Sequence, residues 1–256
     1  MAIKQSKIFT ITGANGGCGK TTTTINLAGE FSKKGLKTLI IDLDLCGGSI
    51  SYLLNLKEKS DLFKMNENLN ANTFTEISDY ITSYNDLIDI ISATKDPRYA
   101  SKVSSKYLKG IIGKCSNIYD VILIDTSKEF NGLNTTAFDL SDQIVYLLEN
   151  SSASLKNMRT LVTIFKEMGF KNYKIVLNQS ILTNKVYFNT TEIKSIILKN
   201  IDYIIPTSFN IKDIDKYILD GKILTLDKGI MKKYKKDILK FDMIASNLLK
   251  CKRDGE

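Results

Sequence analysis

The sequence predicts an α/β fold: a single P-loop-type domain with a mostly parallel twisted sheet and helices on both faces. Three observations predict it. Short apolar runs typical of buried strands alternate with segments of helical periodicity along the chain. At 256 residues and 43% hydrophobic content, the chain suits one large core, and no repeat or linker divides residues 1–256. The first apolar run leads through closely spaced glycines into a helical pattern.

The first strand, predicted over residues 8–11, is followed by a glycine-rich turn. Gly13 and Gly19-Lys20-Thr21 fit the phosphate-loop spacing G-x-x-x-x-G-K-[ST]. Glycines let the backbone curl with its N–H groups inward, so the turn and the first helical turn make an anion cradle. Lys20 would add positive charge at the β/γ-phosphates, and the Thr21 hydroxyl could ligate Mg²⁺. The alternative is a chance glycine turn, which the flanking strand and helix disfavour.

Two aspartates end the next predicted strand. The first helix ends at Lys34, before a C-cap glycine at Gly35, and an apolar strand follows over residues 38–41. Asp42 and Asp44 come directly after it. Because ligands bind at the carboxyl ends of parallel strands in open α/β sheets, these carboxylates are candidate site residues. The alternative is a pair of capping aspartates.

The remaining elements follow in order. Residues 57–83 are polar and predict a surface insertion, with helical character only at 74–81. Further strands are predicted at 87–93, 120–125, 143–148, 174–178 and 203–206, and helices at 106–115, 152–168 and, as one stripe, 231–248. The strand at 120–125 ends in Asp125, the Walker B pattern whose carboxylate holds Mg²⁺ directly or through water.

Net charge and composition limit the classes of partner and of catalytic group that the chain can use. The net charge of +8, carried mostly by lysine, favours nucleic acid or acidic lipid as a partner. The alternative is that the lysines serve only to keep the protein soluble. The C-terminal apolar stripe, with the lysines of 232–236 elsewhere around the helix, predicts either a surface helix for membrane or DNA or a helix docked on the sheet. With no histidine, imidazole catalysis is excluded.

The spacing of the cysteines and the sequence near the N terminus indicate the cellular compartment of the protein. The four cysteines show no C-x-x-C pairing, which argues against zinc and against a disulfide framework. The first strand starts within eight residues of Met1, and no apolar run approaches the roughly 20 residues needed to span a bilayer. A cytoplasmic protein is the expectation, with recruitment to the inner face of the membrane or to a cell pole as its extension.

The chain resembles the deviant Walker A ATPases, the family of the MinD, ParA and nitrogenase-iron-protein types. Three segments carry the resemblance: NGGCGKTT at 15–22, LIIDLDL at 39–45 and VILIDTS at 121–127. Asn178 and the loop at Pro206 add weaker matches. The segments at 42–56 and 92–99 look like the TadZ/CpaE branch, whose members place pilus-assembly and secretion machinery in bacterial cells. The nitrogenase-type cluster would need cysteines after the Walker B strand, and none follows there.

The resemblance implies roles for particular residues toward ATP or ADP and Mg²⁺. Lys20 would neutralise the phosphates, Thr21 and Asp125 would hold Mg²⁺, and Asp42 would act around the metal. Asp44 would orient the attacking water. Asn178 would bond the adenine, which lies against the loop at Pro206. The nucleotide-binding residues so implied are Gly16, Gly17, Cys18, Gly19, Lys20, Thr21, Thr22, Asn178 and Pro206.

Two departures from the family pattern affect the expected chemistry. Asn15 stands where the family has a second lysine that reaches across an ATP-dependent dimer to the partner's nucleotide. Ser127 stands where the family often has proline. Because a trans cation of this kind is worth roughly 10³–10⁵ in rate by analogy with an arginine finger, the first departure threatens hydrolysis more than binding.

The sequence therefore leaves three functions open. The first is a slowly hydrolysing, dimerising ATPase that positions a pilus, secretion or polar-localisation protein. The second is a ParA-like partition ATPase that binds DNA non-specifically, with a membrane-surface cycle as a further variant. The third is a pseudo-ATPase that binds nucleotide without hydrolysing it.

Overall fold

A computed structural model describes residues 6–181, 187–211 and 214–251. Within those ranges the strands are β1 Lys7–Gly13, β2 Thr38–Leu43, β3 Thr82–Asn85, β4 Ile88–Ile91, β5 Val121–Thr126, β6 Gln143–Glu149, β7 Tyr173–Asn178 and β8 Tyr203–Ile205. The helices are α1 Lys20–Lys33, α2 Ile50–Leu53, α3 Leu62–Asn70, α4 Leu108–Cys115, α5 Gly132–Leu140, α6 Ser152–Glu167, α7 Thr190–Ile197, α8 Ile214–Leu219, α9 Lys228–Lys233 and α10 Lys235–Leu248.

The described strands form one sheet in the order β3-β4-β2-β5-β1-β6-β7-β8. Every pairing is parallel except that of β3 with β4. The predicted fold class, a mostly parallel sheet covered on both faces, is confirmed. The central strands β1, β2 and β5 end side by side, which brings the phosphate-loop turn and the predicted carboxylates to the same edge of the sheet.

Side chains alternate between two cores because successive residues of a strand point to opposite faces. In β1, Phe9 and Ile11 pack toward α1 and α10, where they meet Phe31 and Phe241. Ile8 packs on the other face. That face is covered by α3, α4 and α5 at one end and by α6 and α7 at the other. The site edge is therefore built on rigid strand ends between two buried layers.

The structure contains α2, α5, α7 and α8, which the sequence did not predict, and two predicted regions also differ. Residues 57–83 contain α3, which Asp61 caps by accepting a hydrogen bond from the Lys64 N–H at 2.7 Å, and the antiparallel edge strand β3. The sequence did not predict α3 because only a few of its positions, such as Met65, face the core. The C-terminal stripe is not one helix: it breaks at Tyr234 into α9 and α10.

Gly29 permits close packing between α1 and the segment before α9. A Cβ on Gly29 would lie 2.2 Å from Thr225 Oγ1 and 2.7 Å from Ile223 Cγ2. Thr225 is fixed there, since its hydroxyl donates to the Asn26 carbonyl at 2.9 Å. We expect Gly29→Ala to lower the free energy of unfolding by about 1–3 kcal/mol, because overpacking outweighs the helix-propensity gain.

The matched control for that substitution is Gly113→Ala in α4. A Cβ on Gly113 would meet nothing within 4 Å. There the propensity gain of up to about 1 kcal/mol should appear unopposed. Urea unfolding of both variants measures the difference, and equal stabilities would show that the α1 contact tolerates a methyl group.

Candidate functional site

Glycines are required at two points of the turn between β1 and α1. Gly19, the N-cap of α1, has φ of 90°, and a Cβ there would lie 2.4 Å from Asn178 Nδ2. A Cβ on Gly13 would lie 2.1 Å from Cys18 Sγ. The left-handed backbone at Gly19 and the two close approaches leave no room for a side chain. The turn therefore keeps the shape of an anion cradle at the start of a helix.

The predicted phosphate-binding residues divide into exposed backbone and buried side chains. Gly16 and Gly17 lie exposed at the rim, and Lys20 is buried with 7% of its surface exposed. The Cys18 thiol is fully buried, and burial raises its pKa, so only the backbone of this residue can face a ligand. Thr22 is half-buried in the first turn of α1. A cation beneath a glycine rim is the arrangement expected of a phosphate site.

Asp125, near the end of β5, accepts hydrogen bonds from two hydroxyl groups of α1. Thr21 Oγ1 donates to Asp125 Oδ2 at 2.6 Å, and Thr24 Oγ1 donates to Asp125 Oδ1 at 3.2 Å. The structure thus brings the predicted pair Thr21 and Asp125 into direct contact. Thr24 was missed by sequence reasoning, although its position one turn after Lys20 on the same helix is the signal that could have found it.

Asp42 lies beside Asp125 because the two are register partners on adjacent parallel strands. Asp42 accepts hydrogen bonds from the Asp44 and Ile50 N–H groups at 3.1 and 3.3 Å. Burial, and then the neighbouring Asp125 carboxylate, raise the pKa of Asp42 well above its usual range. Burial likewise raises the pKa of Asp125 to about 7, against the lowering effects of Thr21 and Lys20. Two buried carboxylates side by side repel each other when both are ionised, so a bound cation would stabilise them.

Asp44 lines a cleft at the same edge. Its Oδ1 accepts a hydrogen bond from the Gly47 N–H at 3.2 Å, which orders the turn after β2. The cleft, about 240 Å³ in volume, lies between this turn and the loop after β5, and Ser127 and Glu129 line its opposite wall. A water molecule could be oriented there, which is the role predicted for Asp44.

Asn178 and the loop at Pro206 lie together behind the cradle. Asn178 is the register partner of Ile205, the residue before Pro206. Its Nδ2 donates to the Cys18 carbonyl at 3.1 Å, and its Oδ1 accepts from the Ser180 hydroxyl at 2.7 Å. Asn178 therefore supports the phosphate loop directly, a contact that spans 160 positions of sequence and that no local pattern indicated. Its role toward adenine stays a prediction.

Asn15 is engaged within its own chain. Its Nδ2 donates to Glu149 Oε1 at 2.9 Å, and its Oδ1 accepts from Asn157 Nδ2 at 2.8 Å. Asn157 also donates to the Ala14 carbonyl at 3.2 Å. Glu149 ends β6 and Asn157 lies on α6, so these contacts fasten the start of the phosphate loop to the neighbouring strand and helix. Sequence reasoning identified neither residue.

These residues fit Mg-ATP or Mg-ADP. The glycine cradle offers inward N–H groups and Lys20, and Thr21 with Asp125 offers the hard oxygen donors that Mg²⁺ prefers. In the ranges that the structure describes, no three Cys, Asp or Glu side chains converge in a cluster able to hold a metal ion. That agrees with Mg²⁺ held by few protein groups together with substrate phosphates.

Comparison with known proteins agrees with this geometry. A family model described as an AAA domain matches residues 6–181. Over 191 residues the chain is 27% identical to an uncharacterized ATP-binding protein of Methanocaldococcus jannaschii, covering 71% of this chain and 66% of that protein. It is also 30% identical over 121 residues to the tyrosine-protein kinase CpsD of Streptococcus pneumoniae, covering 47% of this chain and 52% of the kinase. The chain thus spans between half and two thirds of these relatives' own length.

Solved structures share the fold. A ParA family ATPase from Chlorobium tepidum superposes with a TM-score of 0.76 at 19% identity, over 95% of this chain and 98% of the other. MinD of Pyrococcus horikoshii, solved with Mg-ADP, superposes with a TM-score of 0.75 at 20% identity, over 96% of each chain. Among the residues described here, no helix has the length and apolar character needed to cross a bilayer.

Proposed function

Because this chain belongs to the AAA-domain family whose model matches residues 6–181 and has the fold of MinD and ParA ATPases, we propose that it is a slowly hydrolysing, ATP-switched positioning protein. The observation that carries the proposal is the contact of Thr21 with Asp125 at 2.6 Å beside the buried Lys20. It joins the helix that follows the glycine cradle to the strand that bears the Walker B carboxylate, so one ligand can bias both elements.

Each residue of the site has a separate role toward the nucleotide, the metal ion or the attacking water. Backbone N–H groups of residues 16–22 wrap the phosphates and Lys20 neutralises them. Thr21 and Asp125 hold Mg²⁺, which when bound neutralises charge developing on the transferred phosphoryl group. Asp42 holds water around the metal, and Asp44 orients the attacking water in the cleft. Asn178 and Pro206 take the adenine.

Phosphate release tests the hydrolytic part of the proposal. We expect Asp44→Ala to lower Mg-ATP turnover by at least about tenfold, because the attacking water loses its positioning group. Mg-ATP affinity should change little, since Asp44 is not among the residues proposed to hold the phosphates or the adenine. Phosphate detection at saturating Mg-ATP, beside calorimetric titration, separates the two effects.

The control for Asp44→Ala is Glu167→Ala. It removes an exposed carboxylate at the end of α6, at the opposite edge of the sheet. Equal background release from wild type and Asp44→Ala would leave a binding-only switch, the pseudo-ATPase alternative.

A positioning role is supported by the surface beside the site. The segments 42–56 and 92–99, which resemble the TadZ/CpaE branch, pack on each other: Ser51 Oγ lies 2.7 Å from Ser92 Oγ, and Thr94 Oγ1 donates to the Leu45 carbonyl at 2.7 Å. These contacts make the two segments one unit, which includes the buried Asp42 and the cleft residue Asp44. A pilus, secretion or polar-localisation protein bound there would sense the nucleotide state through those carboxylates.

A nucleotide-dependent homodimer completes the proposed switch. The exposed rim glycines Gly16 and Gly17 share the sheet edge with α2, on which the Tyr52 side chain is 72% exposed. A second copy facing this edge would cover both. Light scattering of Asp44→Ala with Mg-ATP and with Mg-ADP tests this, and a monomer in both nucleotides would contradict it.

The second candidate function is ParA-like, non-specific DNA binding. It is favoured by the net charge of +8 and by the exposed lysines 232, 233, 235 and 236 where α9 meets α10. It predicts retention on DNA in Mg-ATP that weakens steeply with salt. A flat salt response removes it, and co-flotation with acidic vesicles only in ATP would favour a membrane-surface cycle instead.

A further inference from the structure

The loop that follows β5 is fastened from below by one buried side chain. Asn134, on the first turn of α5, is fully buried. Its Nδ2 lies 3.0 Å from Ser127 Oγ, 2.7 Å from the Glu129 carbonyl and 3.4 Å from the Ser127 carbonyl. These acceptors belong to the residues on either side of Lys128. The amide therefore fixes the backbone from which the Lys128 side chain extends.

The Lys128 side chain lies over the rim of the phosphate cradle. Its Cδ is 3.8 Å from the position that a Cβ on Gly16 would occupy. The ammonium is two bonds further along, and both Lys128 and Gly16 are exposed. In the part of the chain that the structure describes, no carboxylate forms an ion pair with this ammonium. The exposed Lys128 side chain thus extends past the glycine rim of the cradle.

Within the described ranges, the side-chain amide of Asn134 is paired through its nitrogen alone. Its Oδ1 is the one buried side-chain oxygen or nitrogen atom of the described residues that has no hydrogen-bond partner. A buried acceptor without a donor costs on the order of 1–3 kcal/mol. The three hydrogen bonds of the nitrogen to residues 127 and 129 are therefore made at the cost of an oxygen to which no described residue donates.

Asn15 cannot supply a charge to a bound nucleotide, and its side chain is engaged with Glu149 and Asn157. We propose that Lys128 supplies the second positive charge, to the terminal phosphate of ATP and from the same chain, and that Asn134 is its positioning residue. This inference rests on the proposed binding of ATP. It also gives Ser127, which stands where the family often has proline, a function as a hydrogen-bond acceptor for the positioning amide.

The test measures preference for the terminal phosphate at equilibrium, without turnover. We expect Lys128→Met to lower the ratio of Mg-AMPPNP affinity to Mg-ADP affinity by about tenfold or more, the scale of one charge-assisted hydrogen bond. Mg-ADP affinity itself should stay unchanged. Calorimetric titrations give both affinities. Lys128→Arg should retain the ratio, and the charge-matched control Lys166→Met, at the opposite edge of the sheet, should not alter it.

A second variant tests the positioning role. Asn134→Leu keeps the branched shape but deletes the three hydrogen bonds to residues 127 and 129, so it should lower the same ratio in protein that is still folded. Combined with Lys128→Met it should cause no further loss, because the two residues act through one contact. A purely structural residue would lower stability and leave the ratio unchanged.

The outcomes separate the two proposals. A wild-type ratio in Lys128→Met, with Mg-ADP still bound, overturns the role of Lys128 alone. A wild-type ratio in Asn134→Leu overturns its positioning role. Failure of the unmodified protein to bind either nucleotide overturns the proposed function and this inference with it.

Discussion

Lys20→Ala is expected to weaken Mg-ATP binding by about 10²- to 10³-fold. Lys20 is 7% exposed beneath the glycine rim, so its ammonium meets the phosphates in a site with little water. Removing one partner of such a buried charge pair costs about 3–5 kcal/mol, and each 1.4 kcal/mol is tenfold in affinity. Calorimetric titration of the variant with Mg-ATP measures the loss directly.

Removing a lysine elsewhere separates this effect from the general charge of the chain. Lys166→Ala lowers the net charge by the same unit at the far end of α6. It should bind Mg-ATP like the unmodified protein. Equal Mg-ATP affinities for Lys20→Ala and Lys166→Ala would refute the role of Lys20 in the phosphate loop, and absence of binding in the unmodified protein would refute nucleotide binding itself.

Thr21→Val is expected to remove the dependence of ATP binding and turnover on Mg²⁺. The substitution keeps the shape of the side chain but deletes the hydroxyl that lies 2.6 Å from Asp125. A metal ion supplies several kcal/mol of stabilisation to phosphoryl transfer, so turnover should fall on the order of 10²-fold. Titrations with ATP in Mg²⁺ and in EDTA should give the same affinity for the variant and different ones for the unmodified protein.

Thr24→Val is the matched control for that experiment. Thr24 also donates to Asp125, at 3.2 Å, and to the Lys20 carbonyl at 3.0 Å, but it is fully buried. It should lose about 1 kcal/mol of stability with its hydrogen bonds and keep the Mg²⁺ response. Loss of the Mg²⁺ response in Thr24→Val but not in Thr21→Val would place the metal elsewhere.

The sequence by itself determined the fold class and indicated which residues lie at the carboxyl ends of the central strands. The phosphate loop, Asp42 and Asp125 are local patterns at the ends of apolar strands, and parallel strands bring their carboxyl ends to one edge. The family resemblance implied in addition that Thr21 and Asp125 meet, although they are 104 positions apart. The same local reasoning located most of the strands and the helix after the phosphate loop.

The tertiary structure alone decided what surrounds that site. Asn178 contacts Cys18 across 160 positions, Asn15 contacts Glu149 across 134, and Lys128 lies against Gly16. None of these pairs belongs to a repeating pattern. They depend on which strand ends are neighbours and on how far each loop extends from its strand. Periodicity records only which face of an element is apolar, so polar contacts between loops become visible only when the whole chain is folded.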